Sequence, residues 1–501
     1  MPARPPAIPT ASRLFTAAFG ALLGLALVKF GNPVILSSLV EWPEGPWQWV
    51  FFAWPAVVAY PLLLVVLALG VWAAKTDGFS FRTLGFRNLA LWLPLAWLAW
   101  QLAAAGGTID HRLTQWTLGQ FAAAVLCFYL GYVSLGGARS LRTPEPRKRL
   151  ESTECPSPAL SGTLSPSDGE RAGVRGSMLI PRPTASQSCG SGCLSLTGFW
   201  TALLAGFAAV LVTGLEQHFG GLAASREHFL LYVQPGMKEV PPELMKRMTS
   251  GRIFGTLFYP NTLATVILLL LPALLAFLWS LKASLTVGAR LFLMAALALT
   301  ALACLVWSGS KGGWLVMMLL GLVALLQVRF ARRWKLVLVG LVLVAGLTGF
   351  FWRYAAFFEK GATSVGARFD YWQAAAQTVR DHPWLGSGPG TFGVVYARVK
   401  RPDAEMSRMT HNDYLQQGSD SGLPGLLAYC GFVVLALLGG YPRGTGAPDW
   451  PRLAVWLGVL GWAVQSLFEF PLYIPATAWL PFALLGWLLR EQVLRSSRLG
   501  G

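Results

Sequence analysis

Charge is what this sequence lacks most. Only 13% of its 501 residues are Asp, Glu, Lys or Arg, where a soluble domain carries roughly a quarter. That shortfall, beside a hydrophobic content of 54%, places the chain in the membrane class rather than the soluble one. Acids are scarcer than bases: 23 Asp and Glu against 40 Lys and Arg, a formal net charge of +17. In a soluble protein such a surplus would point to nucleic acid. Here the basic residues sit in loops between apolar runs, as cytoplasmic loops of membrane proteins do, and no nucleic-acid partner is expected. Cysteines number six and form no framework. Cys127, Cys304 and Cys430 lie in apolar runs as small buried hydrophobes. Cys155, Cys189 and Cys193 lie in a polar stretch. Cys189-Gly-Ser-Gly-Cys193 resembles half of a metal site, but no second Cys or His pair follows it.

What is present is a series of long apolar runs. A membrane helix needs about 20 mostly apolar residues, and about twelve such runs can be counted, among them Trp49–Ala73, Gly255–Leu281 and Leu423–Gly439. The even-numbered exits are basic: Lys75, Arg82 and Arg87 follow the second run, Arg329, Arg332, Arg333 and Lys335 the eighth, and Arg490, Arg495 and Arg498 the twelfth. This asymmetry places both termini in the cytoplasm. No cleavable signal peptide is evident, and the first run is expected to remain as a signal anchor. The expected fold is an all-α polytopic membrane protein of about 12 transmembrane helices with a large periplasmic loop containing amphipathic helices. Residues 1–136 carry helices one to four. Residues 137–197, rich in Ser, Pro, Gly and Arg, read as a disordered cytoplasmic linker or insertion. Residues 198–352 carry helices five to nine, 353–422 the periplasmic loop, and 423–501 helices ten to twelve with a short cytoplasmic tail.

The polar, motif-dense stretch from Gly361 to Gly425 is the interval the rest of the chain frames. Phe369, Trp372, Ala376 and Val379 recur at helical spacing and predict one apolar stripe over 367–381, ended by His382-Pro383. Arg368 would fall in the first turn, where a cation opposes the helix dipole; it is either a ligand for an anion or a surface arginine. Gly386-Ser-Gly-Pro-Gly390 is a tight turn or a cradle of backbone N–H groups for phosphate. His411, in Thr410-His-Asn-Asp-Tyr-Leu-Gln416, can take a proton near neutral pH, with Asp413 close in sequence. The other long loop, from Glu216 to Arg252, leads into Pro260-Asn261 at the head of the sixth run. Arg252, Arg368 and His411 are thus predicted on one side of the membrane.

These stretches, in order, resemble the O-antigen ligase and O-antigen polymerase family of multi-span glycosyltransferases. Arg252-Ile-Phe-Gly-Thr-Leu-Phe-Tyr-Pro-Asn261 looks like the family's arginine followed by G-T-F-x-N-P-N. Ser310-Lys-Gly-Gly-Trp314 is similar to S-R-G-A-W, with Lys311 in place of arginine. Ala367-Arg-Phe-Asp-Tyr-Trp372 with Asp381-His-Pro-Trp-Leu-Gly-Ser-Gly-Pro-Gly-Thr-Phe392 resembles R-x-x-x-W and D-H-P-x-x-G-x-G-x-G-x-F. His411-Asn-Asp-Tyr-Leu-Gln416 with Gly422-Leu-Pro-Gly425 resembles H-N-x-Y-L-Q and G-x-x-G. Asp420 stands where the family commonly has Glu, and the linker 137–197 has no counterpart.

The resemblance implies a metal-independent transferase without cofactor, in the bacterial inner membrane. Its donor would be an undecaprenyl-diphosphate-linked glycan, and its acceptor lipid A core for a ligase or another glycan for a polymerase. A lipid-linked glycan transporter is the non-enzymatic alternative. His411 would be the general base, with Asp413 or Asp420 orienting it. Arg252 and Arg368 would bind the diphosphate and stabilise the leaving group. Lys311, Asn261, Asn412 and Tyr414 would complete the diphosphate and glycan site.

Overall fold

The computed structural model describes residues 10–76, 89–135, 196–233, 245, 249–328, 331–359, 363–443 and 449–499. The linker expected at 137–197 lies almost entirely outside the described residues, with Cys155, Cys189 and Cys193. Among the described residues the principal elements are helices and no strand occurs. In chain order they are α1 (Thr10–Lys29), α2 (Ala59–Thr76), α3 (Leu89–Ala104), α4 (His111–Leu130), α5 (Thr197–Glu216), α6 (Pro260–Ser280) and α7 (Val287–Trp307). They continue with α8 (Lys311–Gln327), α9 (Arg332–Glu359), α10 (Thr363–Asp381), α11 (Phe392–Val399), α12 (Asp413–Gly440), α13 (Trp450–Gln465) and α14 (Pro475–Leu499).

Each apolar run falls on one of these helices, but their bounds differ from expectation. Among the described residues, nine helices are long and apolar enough to cross a membrane, against the twelve or so expected. The runs on α8 and α13 are short, and α14 ends in a charged stretch from Arg490. The second run is not one helix. It divides into Pro46–Phe51 and α2, because Pro55 forces the residue before it out of the helical region. The tenth helix begins ten residues earlier than the apolar run, at Asp413, so part of the expected loop is helical. Asn412 supplies the reason: its side chain caps the helix by accepting from the Leu415 N–H at 3.0 Å. A break inside α12 falls at Gly422, φ 72°, ψ −173°, a backbone region open essentially to glycine alone.

Burial separates the centre of the bundle from its rim. Every residue of α14 from Pro475 to Leu489 is buried, as is 78% of the α6 window. Close approach is achieved through small residues. A methyl added at Gly458 of α13 would sit 2.0 Å from the Leu269 carbonyl oxygen of α6, and one at Gly486 of α14 equally close to Phe128 of α4; backbone-to-backbone packing of this kind is how membrane helices associate. α9 does the opposite. Leu336, Val337, Leu341 and Val344 are all more than half exposed, an apolar face suited to lipid contact.

Backbone hydrogen bonds gather the loops at one end. Phe258 N–H donates to Gly31 (3.1 Å), Ala476 N–H to Phe30 (3.2 Å), Ile109 N–H to Ser387 (3.1 Å) and Asp413 N–H to Ser466 (2.9 Å). The connections after α1, α3, α5 and α13 therefore meet the segment 382–412 in one cap, with α10 and α11 lying in it.

Candidate functional site

The cap's polar centre is the carboxylate of Glu469, on the connection between α13 and α14. Only 8% of its side chain is exposed. Oε1 accepts from Nδ2 of Asn261 at 2.5 Å and from Nη2 of Arg368 at 2.7 Å. Oε2 lies 3.3 Å from Nδ1 of His411. Asn261 in turn accepts, through Oδ1, from Nη2 of Arg252 at 2.9 Å. One chain of hydrogen bonds thus joins Arg252, Asn261, Glu469, Arg368 and His411, drawn from the α5–α6 loop, the first turn of α6, the α13–α14 loop, α10, and the residue preceding the α12 cap. Burial works to raise the Glu469 carboxyl, but the hydrogen bond and charge of His411, with Arg368, outweigh it and hold the group below the usual carboxylate range.

Each member is held from behind. Arg252 donates Nε to the Ser308 carbonyl at 2.6 Å. Gly309 makes room for it: at φ 61° the α7–α8 turn wraps the guanidinium, and an added methyl would lie 3.1 Å from Nε. Burial draws the Arg252 guanidinium below its ordinary value, with Glu469 opposing. Arg368 donates to the Phe468 and Ser364 carbonyls at 3.3 and 3.1 Å. His411 has φ 53°, uncommon for a residue with a side chain. Its flanks hold it there: Thr410 N–H donates to Gln416 Oε1 at 2.8 Å, and the Thr410 hydroxyl to the Asn412 carbonyl at 2.7 Å. The imidazole lies between Tyr371, stacked at 5.9 Å, and the edge of Phe470 at 4.9 Å. With Nδ1–H donated to the carboxylate, the other ring nitrogen is the basic one.

Lys311 opens α8, behind its cap Ser310, with Nζ 5.2 Å from the Tyr354 ring centroid. Burial, then Arg252, Arg368 and Arg353, lowers its ammonium to about 8. Arg252, Lys311, Arg353 and Arg368 therefore share one mouth whose carboxylate is Glu469, a surplus of positive charge suited to an anion bearing more than one negative charge.

The structure brings together Arg252, Asn261, Lys311, Arg368 and His411 among the expected site residues, and sends others elsewhere. Asn412 is the α12 cap. The Tyr414 hydroxyl donates to the Ala463 carbonyl at 2.9 Å inside the bundle. Asp413 and Asp420 do not orient His411. Asp413 accepts from the Leu472 N–H at 3.0 Å, tying the Glu469 loop to α12. Asp420 accepts from Gly390 N–H at 2.7 Å, Tyr473 at 2.8 Å and Gln416 at 3.2 Å. The Gly386–Gly390 segment is a structural turn, since its N–H groups at 387, 388 and 390 are engaged by Ser419 and Asp420. On α10 the buried face is Tyr371, Ala374, Ala375 and Thr378, while Phe369 is 61% exposed. The expected stripe is therefore rotated, because small residues let α10 pack closely and Tyr371 must cover His411.

Glu469 was missed by the sequence reading. Its signal was a lone acid between Phe468 and Phe470 at the end of an apolar run, a charge that on burial requires partners.

Residues 296–430, which hold Lys311, Arg368 and His411, match the family model described as O-antigen ligase. This part of the chain belongs to the O-antigen ligase family. The match places the protein among the membrane glycosyltransferases of O-antigen ligase and polymerase type. Arg252, Asn261 and Glu469 lie outside the matched O-antigen ligase segment and complete the site from either side of it. The chain is also similar to an uncharacterized protein of Haemophilus influenzae, 28% identical over 146 residues, covering 24% of this chain and 36% of the relative. The matched segment spans about a third of that relative's length.

Proposed function

We propose that this protein transfers a glycan from undecaprenyl diphosphate to a hydroxyl of lipid A core, at the outer face of the bacterial inner membrane. The observation that carries the reading is the mouth in which a histidine, aimed by a buried carboxylate, stands among Arg252, Lys311 and Arg368. Diphosphate is the anion these groups fit. Guanidinium pairs phosphate oxygens through two parallel bonds, and fixed cations stabilise charge where it develops on a leaving group. In the reaction, the acceptor oxygen forms a bond to the anomeric carbon as the bond from that carbon to the diphosphate oxygen breaks. The hydroxyl proton passes to His411, and Glu469 stabilises the resulting imidazolium. The arginines and Lys311 carry the departing charge, the part a bound cation plays elsewhere, so the reading takes the enzyme as metal-independent. The basic loops of the even exits support cytoplasmic termini and an outward-facing mouth.

A polymerase would use the same donor and mouth and take a second lipid-linked glycan as acceptor. A transporter is less well supported, because the charges gather in the cap rather than at mid-membrane. The test is transfer in vitro from a purified polyprenyl-diphosphate glycan, with lipid A core and a second lipid-linked glycan supplied separately. Wild type is expected to release polyprenyl diphosphate, and His411→Ala and Arg368→Ala to fail while remaining folded. Transfer by those variants at wild-type rates would sink the assignment of the mouth. Movement of the donor between leaflets without product would favour transport.

A further inference from the structure

A second cleft, of about 200 Å³, opens in the same cap at the other end of α10. Arg368 lies near the start of that helix and Gln377 and Asp381 near its end, which at 1.5 Å per residue puts the cleft about 14 to 20 Å from the cationic mouth. Ile109 and Val395 give it an apolar floor, and Gln377, Asp381, His382 and Arg398 line its rim. All four rim residues are exposed. Among the described residues, none of their side chains has a hydrogen-bond or ion-pair partner, in contrast to the fully engaged residues of the mouth. They come from α10, the residue that follows it, and α11, and they converge on one space.

The composition of the rim selects a ligand class. One carboxylate faces one guanidinium, so the cleft has no surplus of either sign and, unlike the mouth, does not favour a phosphate or a free cation. Carboxylate, carboxamide, imidazole and guanidinium together offer both acceptors and planar paired donors, the set that neighbouring hydroxyl groups satisfy. The apolar floor suits the C–H face of a ring, and few polar groups over an apolar base is the usual build of a small-ligand site. We propose that this cleft holds a sugar ring of a glycan, remote from the linkage being made, and so helps to set which glycan the enzyme accepts. This rests on the reading that the mouth transfers a glycan; the sugar held could belong to the acceptor or to the donor.

The test uses the full-length protein in nanodiscs and two soluble probes: core oligosaccharide freed of lipid, and the glycan released from the donor, both from the source organism. Binding is read by saturation-transfer NMR. Wild type should bind one of the two, and which one identifies the source. Asp381→Asn and Arg398→Gln, both surface changes, should keep the thermal midpoint and weaken that binding at least tenfold. In turnover they should raise KM for the same substrate at least tenfold with a smaller effect on kcat. Wild type binding neither probe, or variants binding and turning over as wild type does, would overturn the proposal. Oligosaccharide binding lost in the variants of a wild type that makes no product would uphold the cleft and sink the transferase reading instead.

Discussion

Replacing Glu469 by Gln tests the arrangement of the mouth most directly, because the change keeps the shape and removes the charge. The carboxylate is 8% exposed and receives Asn261, Arg368 and His411. Breaking a fully buried ion pair costs about 3–5 kcal/mol. Arg368 and His411 retain 20% and 26% side-chain exposure, so water recovers part of that loss, and about 2 kcal/mol is expected. The catalytic effect is larger. A glutamine can offer its amide N–H to Nδ1, which would make the outward nitrogen a donor instead of a base; the loss is then that of general-base catalysis, about 10²–10⁴-fold in kcat. Glu469 is held below the usual range, so its contribution to stability is present above its unfolded value near 4.5 and is lost as pH falls through the lower folded value. The gap in thermal midpoint between wild type and Glu469→Gln should therefore be constant at neutral pH and close in acid. The assay is release of polyprenyl diphosphate in detergent, paired with thermal unfolding from pH 3 to 8. A variant within threefold of wild type in kcat, with a midpoint gap independent of pH, would refute the claim that Glu469 aims His411.

Three further outcomes follow from other parts of the cap. Lys311, lowered to about 8, should lose its charge as pH rises through that value, so kcat/KM for the donor should fall above it; Lys311→Arg should move that limb upward, and an unchanged profile would remove Lys311 from the donor site. Asp413→Ala should cost about 2 kcal/mol, the worth of a hydrogen bond to a charged group, and lower kcat as well, because the Glu469 loop loses its tie at Leu472; a thermal midpoint equal to wild type would contradict this. Gly422→Ala should cost about 3 kcal/mol or more, since the added methyl would lie 2.3 Å from the Trp384 carbonyl oxygen at φ 72°; normal yield and midpoint would show that the break is not needed.

Much of this architecture was legible in the sequence because it is written locally. Hydropathy marks the helices, His382-Pro383 ends α10 at Asp381 as expected, and Pro260 opens α6. Arg252, Asn261, Arg368 and His411 stood out as polar groups at apolar borders, and they do converge. Glu469 did not stand out as their partner, because its place is tertiary: it lies 58 residues from His411 and 208 from Asn261 in sequence. Asp413 and Asp420 were attractive partners for the opposite reason, closeness along the chain, yet the helix that begins at Asp413 carries both side chains into the bundle. The register of α10 was misjudged because Phe369 looks like a core residue by composition, while membrane surroundings let an aromatic face outward at no great cost.

The loop from Gln465 to Tyr473 is stitched to α12 and to the glycine turn by Asp413, Asp420 and Tyr473, and it delivers Glu469 to a histidine from a different part of the chain. Exchange of parts between such enzymes is constrained as a result. A chimera that imports 361–425 from a relative to alter its glycan preference would carry the base and one arginine, but leave behind the acid that aims them and the loop that fits under them. The transferable unit is that stretch together with 465–473, and swaps that respect this pairing are the ones expected to yield active hybrids.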